Sequence, residues 1–182
     1  MSDEVDVIPL SAKPVSWGEV KQSLSASVFD ADLRSYFGAN RLSLFEARTK
    51  RLLEDGDALP CPGYYSFSIE GKNCTLSMAI EPSADCVENA DYLGDFARNL
   101  SDESKETLQQ QWEQAGYLIT VESYGGRPRH EIRAMMLVAI CLARVTEGVV
   151  LVTDSIVGLM VGVYSPEEID VASINEMEER SG

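Results

Sequence analysis

The sequence predicts an α+β fold, in which a single domain has a mainly antiparallel sheet packed against helices. Segments with strand-like and helix-like periodicity follow one another without the regular strand-helix-strand rhythm of a parallel sheet. The segment 134–143 has no charged side chain and only the Cys141 thiol for side-chain hydrogen bonding, which predicts a central buried helix at about 130–146. At 182 residues and 45% hydrophobic content, the chain is long enough for one full core, so we expect one domain over 1–182. Fraying is expected at about 1–4 and 179–182.

The N-terminal third predicts an edge strand followed by helices. Apolar residues alternate within 5–9, as in a short strand. Ser16 and Glu19 have the spacing of a capping box, which predicts a helix over 17–29. Residues 30–37 are expected to add a helical turn or two. A second amphipathic helix is expected over 42–54, with four residues on its apolar side: Leu42, Phe45, Leu52 and Leu53.

The middle of the chain predicts an antiparallel hairpin. Polar and apolar residues alternate in 64–70 and again in 75–80, on either side of a turn at 71–73. The other elements are predicted from periodicity and from cap residues. In chain order they are helix 87–100, helix 102–115 between Ser101 and Gly116, strand 117–124, a basic loop 125–129, helix 130–146 stopped by Gly148, a strand from 149, strand 156–164, and a helix from Ser165 to about 178.

The charge of the chain bears on its partners. It has 30 acidic and 15 basic residues, a net charge of −15, and this field repels phosphate backbones and anionic lipid while attracting basic proteins. We therefore expect neither direct nucleic-acid binding nor membrane binding. The acidic start of the chain has no signal-peptide character, and no apolar run is long enough to span a bilayer, so a cytoplasmic protein is expected.

The cysteines and the single histidine do not predict a metal centre. Cys61, Cys74, Cys86 and Cys141 form no CxxC pair, and His130 has no partner His nearby in the sequence. We expect reduced structural thiols, with a Cys61–Cys86 or Cys74–Cys86 disulfide as the alternative in an exported form. The sequence also has no G-x-S-x-G elbow, no GxGxxG and no P-loop, so we expect no enzyme and no cofactor.

Two groups of residues are candidates for binding. The first follows a strand and begins a helix, where free amides favour an anion. Its members are Tyr124, Arg127, Arg129 and His130, although a plain turn that needs two glycines explains the same residues. The second lies where acidic residues most outnumber basic ones, 10 against 3 over residues 61–119, and would steer a basic partner or simply keep the protein soluble. Its members are Asp85, Glu88, Asp91, Asp95, Asp102, Glu103 and Glu106. We call this second group the helix band.

The last third of the chain resembles small bacterial α+β immunity proteins from polymorphic-toxin and type VI secretion loci. The resemblance is carried by 117–121, the helix 132–145, and the segments 148–154 and 162–168, as an order of strand, helix and turn. It implies a protein that binds and neutralises a cognate toxin, often a nuclease, as one half of an effector–immunity pair.

Three functions follow as expectations. The first is stoichiometric occlusion of a cognate, basic nuclease toxin through the helix band. The second is a small enzyme or ligand-binding domain with an anion pocket at 124–130. The third is a secretion adaptor or scaffold, which needs only a binding surface.

Overall fold

The computed structural model describes residues 3–27, 42–71, 74–87, 92–124, 129–153 and 159–169, without the side chains of 86, 87, 129 and 130. Its elements, in chain order, are β1 (Asp3–Ile8), α1 (Trp17–Ser27), β2 (Leu42–Glu46), β3 (Gly63–Ile69), β4 (Leu76–Pro82), α2 (Ser83–Val87), α3 (Tyr92–Phe96), α4 (Asp102–Ala115), β5 (Tyr117–Ser123), α5 (Arg129–Val145), β6 (Val149–Val152) and β7 (Gly162–Tyr164). The predicted α+β class and the hairpin β3–β4 are confirmed.

All seven strands belong to one antiparallel sheet in the order β2-β3-β4-β5-β1-β6-β7. The prediction that β1 is an edge strand is wrong, because it lies between β5 and β6. Asp3 and Glu4, which we expected to fray, pair with Ser123 and Glu122 of β5. The sequence misled because local alternation identifies a strand without identifying its neighbours.

One face of the sheet carries the main core, formed with α1 and α5. The predicted central helix is confirmed: every residue from Ala134 to Ala143 is at most 2% exposed. Helix α5 is apolar all round because it packs against the sheet on one side and against α1 on the other. The capping box of α1 is confirmed as well, with the Ser16 amide donating to Glu19 Oε2 at 3.0 Å and the Glu19 amide donating to Ser16 Oγ at 3.3 Å.

Within the part of the chain that the structure describes, the opposite face of the sheet is covered over only part of its area. Near β6 and β7, a smaller apolar cluster joins the strands to α3 and α4; its buried members are Ile8, Leu93, Ala97, Leu108, Trp112, Leu118, Leu151 and Val163. Trp112 lies at its centre and donates from Nε1 to the Tyr117 carbonyl at 3.0 Å. The predicted helix 102–115 is confirmed, with Ser101 as its N-cap and Gly116 in the left-handed conformation after it.

The predicted amphipathic helix over 42–54 is wrong. Leu42 and Leu44 are buried while Ser43 between them is half-buried, so burial alternates with the two-residue period of a strand. This strand, β2, ends at Glu46. The chain then turns, and Leu53 donates its backbone N–H to the Leu44 carbonyl at 2.9 Å. Leu52, expected on the apolar side, is 52% exposed. Leucines spaced for a helical face therefore belong to a strand and to the segment that returns along it.

Other predicted boundaries also change. The helical segment expected over 87–100 begins earlier, as α2 from Ser83, and α3 ends at Phe96. Among the residues described near the C-terminus, strand structure is confined to β7, and Ser165 begins a turn in which its amide donates to Glu168 Oε2 at 2.7 Å. Several expectations lie outside the described residues: the helical turns at 30–37, the loop tip at 125–128, the C-terminal helix beyond 169, and the fraying at 179–182.

Candidate functional site

The part of the sheet that the described helices leave uncovered forms a cleft over β3, β4, β5 and β1. Strand register places Ser66, Ser77, Glu122 and Glu4 in one row, and Tyr64, Ala79, Thr120 and Asp6 in the next. Alternate residues of a strand share a face, so both rows point to the same side of the sheet. Because Ser77, Ala79 and Thr120 in the middle of the rows are small, a cleft of about 490 Å³ remains between the rows and Tyr92 of α3. We call it the sheet-face cleft.

Carboxylates set the charge of the sheet-face cleft. Glu4, Asp6, Glu81 and Glu122 line it, and none of the described lining residues is Lys, Arg or His. Glu4 is exposed, Glu81 and Glu122 are half-buried, and Asp6 is only 2% exposed. Glu4 and Glu122 lie directly opposite each other on neighbouring strands, an arrangement of like charges that destabilises a sheet.

Asp6 is the most buried of these acids and accepts two hydrogen bonds. Thr120 Oγ1 donates to one carboxylate oxygen at 2.6 Å, and the Tyr92 hydroxyl donates to the other. Burial raises the pKa of Asp6 to about 6, and the neighbouring charges of Glu4 and Glu122 act in the same direction, whereas the two hydrogen bonds lower it. Burial also raises the pKa of Glu122, with Glu4 again contributing.

Three tyrosines donate hydrogen bonds to three of the four carboxylates of the sheet-face cleft. The Tyr64 hydroxyl donates to Glu81 Oε1 at 2.7 Å, and the Tyr124 hydroxyl donates to Glu122, as Tyr92 does to Asp6. The bond to Glu81 raises the pKa of Tyr64, since a nearby carboxylate disfavours the phenolate. Tyr64 and Tyr124 are 55% and 51% exposed and form an aromatic rim around the acids.

This set of groups is suited to binding a cation. Carboxylates and neutral hydroxyls accept hydrogen bonds, and the faces of tyrosine rings attract positive charge. In the described part of the chain, no three His, Cys, Asp or Glu side chains are placed to share a metal ion. The chemistry that the cleft offers is therefore recognition of a positively charged group.

None of the described helix-band residues lines the sheet-face cleft, although the charge of Asp85 contributes to the raised pKa of Tyr64 at its rim. Asp85, Asp95, Asp102, Glu103 and Glu106 are all exposed, on α2, α3 and α4, while Glu88 and Asp91 lie outside the described residues. Asp102 and Glu106 line a shallow groove that also contains Lys105, whose Nζ lies 3.7 Å from Asp102. Because this groove contains a cation of its own, it is less acidic than the sheet-face cleft.

The predicted anion site has carboxylates close to it. Tyr124 lines the sheet-face cleft and bonds to Glu122. Arg127 lies outside the described residues, and Arg129 and His130 form the start of α5 without described side chains. Within the first turn of α5, the buried carboxylate of Glu131 accepts a hydrogen bond from Thr75 Oγ1 at 2.5 Å and another from Ser123 Oγ at 3.2 Å. These negative charges oppose the binding of an anion beside Tyr124.

The thiols show no evidence of a disulfide within the described side chains. Cys61 is exposed and Cys141 is buried, and both are free. Burial raises the pKa of both thiols, for Cys61 with a contribution from nearby acids. The side chain of Cys86, which both alternative disulfides would use, lies outside the described residues.

Sequence reasoning missed the residues of the sheet-face cleft. The missed side chains are Glu4, Asp6, Tyr64, Glu81, Tyr92, Thr120 and Glu122. A signal was present, because Asp6 is a charged residue between two valines and the polar positions of each strand define one face. What the sequence lacked was the order of the strands, which brings those polar faces together.

Comparison of the chain with protein-family models, with curated proteins and with solved structures finds no match. The resemblance to immunity proteins therefore remains a prediction. Among the helices described, none is long and apolar enough to cross a membrane.

Proposed function

We propose that this chain is an immunity protein that binds a cognate, basic toxin and occludes it stoichiometrically, without catalysing a reaction. The observation that carries the proposal is the sheet-face cleft, which has four carboxylates and no basic residue among its described lining. The resemblance of the C-terminal third suggests a nuclease effector of a type VI secretion or polymorphic-toxin locus. The proposal includes a cytoplasmic location, where the producing cell would need protection.

Charge supports this choice of partner. At a net charge of −15 the protein attracts cations over a distance comparable to the Debye length, roughly 8 Å at physiological ionic strength. Nuclease surfaces that contact phosphate are basic, so the same field that repels nucleic acid favours encounter with the enzyme that cuts it. Complementary charge mostly increases the association rate, and the buried contacts then set the dissociation rate.

The protection of both sheet edges favours the open face of the sheet as the binding surface. Residues 51–53 run along the outer side of β2, with the Glu46 backbone amide donating to the Arg51 carbonyl at 2.9 Å. At the other edge, the Asn99 side chain donates to the Val163 carbonyl at 2.6 Å and accepts from the Val163 amide at 2.8 Å. Addition of a partner strand is blocked at these positions, because their outward backbone groups are already paired.

The test is neutralisation by the purified pair. The product of the adjacent gene, expressed alone in a bacterial host, should arrest growth, and co-expression of this chain should relieve the arrest. The purified proteins should form a complex of fixed stoichiometry that inhibits the partner's activity in vitro. An adjacent product that is neither toxic nor bound would refute the proposal, and a complex without relief of growth arrest would favour the secretion-adaptor role instead.

A further inference from the structure

We propose that the sheet-face cleft is an arginine-binding site, occupied by a guanidinium group on an exposed basic segment of the protein partner. The negative charge, the hydroxyl groups and the tyrosine rim of the cleft together match a guanidinium group. The inference relies on the proposed function only for the identity of the partner.

Among the described residues of the free protein, the negative charge of the sheet-face cleft has no basic counterpart. Asp6 is buried with two neutral donors, Thr120 and Tyr92, and no basic side chain lines the cleft within the described residues. A buried carboxylate without a counter-charge costs stability, and so does the cross-strand pair of Glu4 with Glu122. One bound cation between the two rows would offset both costs.

Guanidinium fits the cleft better than other cations. Its planar, forked N–H groups pair with carboxylates in two places at once, and its faces stack on aromatic rings. Glu4, Glu122 and Asp6 lie in two adjacent rows, and the exposed Tyr64 and Tyr124 stand at the rim. An ammonium group would satisfy the charge but would lose the paired and stacked contacts.

Other occupants fit less well. A second copy of this chain also has a net charge of −15, so it would bring like charge to the cleft. Anionic lipid and nucleic acid are repelled for the same reason. An apolar peptide would remove water from the four carboxylates without supplying a counter-charge, which is costly.

The experiment uses acetylated tetra-arginine amide as the probe, with tetra-lysine and tetra-glutamate as comparison peptides, titrated into the full chain by calorimetry. The test variant is Glu4→Gln with Glu122→Gln. The matched control, Asp102→Asn with Glu106→Gln, also removes two negative charges, but from the helix band. We expect the cleft variant to weaken tetra-arginine binding by about tenfold or more, and the control variant by about twofold, because exposed charges contribute little singly.

Three results would overturn the inference. Equal losses in the two variants would indicate attraction by the general field, and tetra-lysine binding as tightly as tetra-arginine would remove the preference for guanidinium. Self-association of wild type that the cleft variant abolishes would identify a second copy as the occupant. Misfolding is checked by thermal unfolding, where the cleft variant should be at least as stable as wild type because it loses like-charge repulsion.

The same variants separate this inference from the proposed function. If the control variant abolishes toxin neutralisation while the cleft variant retains it, the protein is an immunity protein that uses another surface. If tetra-arginine binds in the cleft but the adjacent gene product is not neutralised, the cleft inference stands and the toxin assignment fails.

Discussion

The hydroxyl of Tyr92 donates a hydrogen bond to the carboxylate of Asp6 and so joins α3 to β1, an inner strand of the sheet. Thr120 holds the other carboxylate oxygen at 2.6 Å. Both donors are neutral, and burial raises the pKa of Asp6 to about 6. The position of this carboxylate is therefore well fixed, while its ionisation costs more free energy than that of an exposed aspartate.

We predict that Asp6→Asn stabilises the protein at neutral pH. The folded pKa of about 6 lies above the ordinary 3.8, so the stability that Asp6 contributes is fully present below about pH 3.8 and is lost as pH rises through 6. Asparagine can accept from Thr120 and donate to Tyr92. At pH 7.5 the variant should gain roughly 1–3 kcal/mol in the free energy of unfolding, and the gain should disappear near pH 4.

The measurement is urea denaturation of wild type and variant across this pH range. Asp95→Asn removes an exposed carboxylate from α3 and is the control, for which little change is expected at any pH. Destabilisation by Asp6→Asn at pH 7.5 would show that the ionised carboxylate is needed by its two donors.

We predict that binding of a cation in the sheet-face cleft is coupled to release of a proton. A positive charge beside Asp6 favours the ionised carboxylate, so tetra-arginine affinity should fall as pH drops through about 6. The groups facing Asp6 are Glu4, Glu122 and Tyr92, and Glu122 has a raised pKa too. Asp6→Asn should therefore reduce the pH dependence without removing it.

Calorimetry at pH 6 in buffers of different ionisation enthalpy measures the number of protons released. A proton count equal in wild type and in Asp6→Asn would place the bound cation away from Asp6.

The fold was largely predictable because its strongest signals are local. The apolar segment 134–143 and the Ser16–Glu19 spacing needed only neighbours in the chain, and both predictions were confirmed. The helix prediction for 42–54 failed because the spacing of its leucines fits both the 3.6-residue period of a helix and the two-residue period of a strand. Pairing with β3 decides between the two. Tertiary pairing overrode the helical pattern there.

The binding surface was harder to predict because it is not contiguous in the sequence. The helix band is a run of acidic residues on consecutive helices, so the sequence displays it directly. Glu4 meets Glu122, and Asp6 meets Thr120, only because β1 pairs with β5, more than a hundred positions away. Alternation showed that these strands have polar faces, but strand order depends on long-range packing that no single segment encodes.

We predict that Ser16→Ala destabilises the protein by about 1 kcal/mol, the usual effect of losing an N-cap hydroxyl. The Ser16 hydroxyl accepts from the Glu19 amide at 3.3 Å and donates to the Glu19 carboxylate at 2.8 Å. Hydrogen bonds from Lys13 and from Ser16 lower the pKa of Glu19 to about 2, and in the variant this pKa should rise towards its ordinary value.

Urea denaturation and NMR titration of Glu19 test this prediction. Ser25→Ala is the matched control, because Ser25 is an exposed residue of the same helix whose hydroxyl bonds only to the Lys21 carbonyl among its described contacts. Equal effects of the two substitutions would argue against the capping box as the source of stability.

We predict that Asn99→Ala exposes the β7 edge. The Asn99 amide pairs with both backbone groups of Val163, and its loss leaves them without that partner, at a cost of about 1–3 kcal/mol in the free energy of unfolding. An unpaired edge is also a template for another strand, so concentration-dependent association should increase.

Denaturation and light scattering measure the two effects of Asn99→Ala. Gln110→Ala, on the exposed side of α4, is the control and should change neither. An Asn99→Ala protein that remains monomeric with unchanged stability would mean that the edge is protected by other groups.

The last prediction concerns two glycines that end helices for different reasons. A Cβ at Gly148 would lie 2.4 Å from the Ile8 carbonyl oxygen and 2.8 Å from Thr146 Oγ1, so the chain between α5 and β6 approaches β1 too closely there for any side chain. A Cβ at Gly116 would meet nothing within 4 Å, but this residue has φ of 86°. Gly148→Ala must displace backbone and should destabilise the protein by about 3 kcal/mol, whereas Gly116→Ala bears only the left-handed penalty of roughly 1–2 kcal/mol. Urea denaturation of both variants measures the difference, with Gly56→Ala as a control at an unhindered glycine. A loss of stability in Gly148→Ala no larger than in Gly116→Ala would show that β1 can move away from α5.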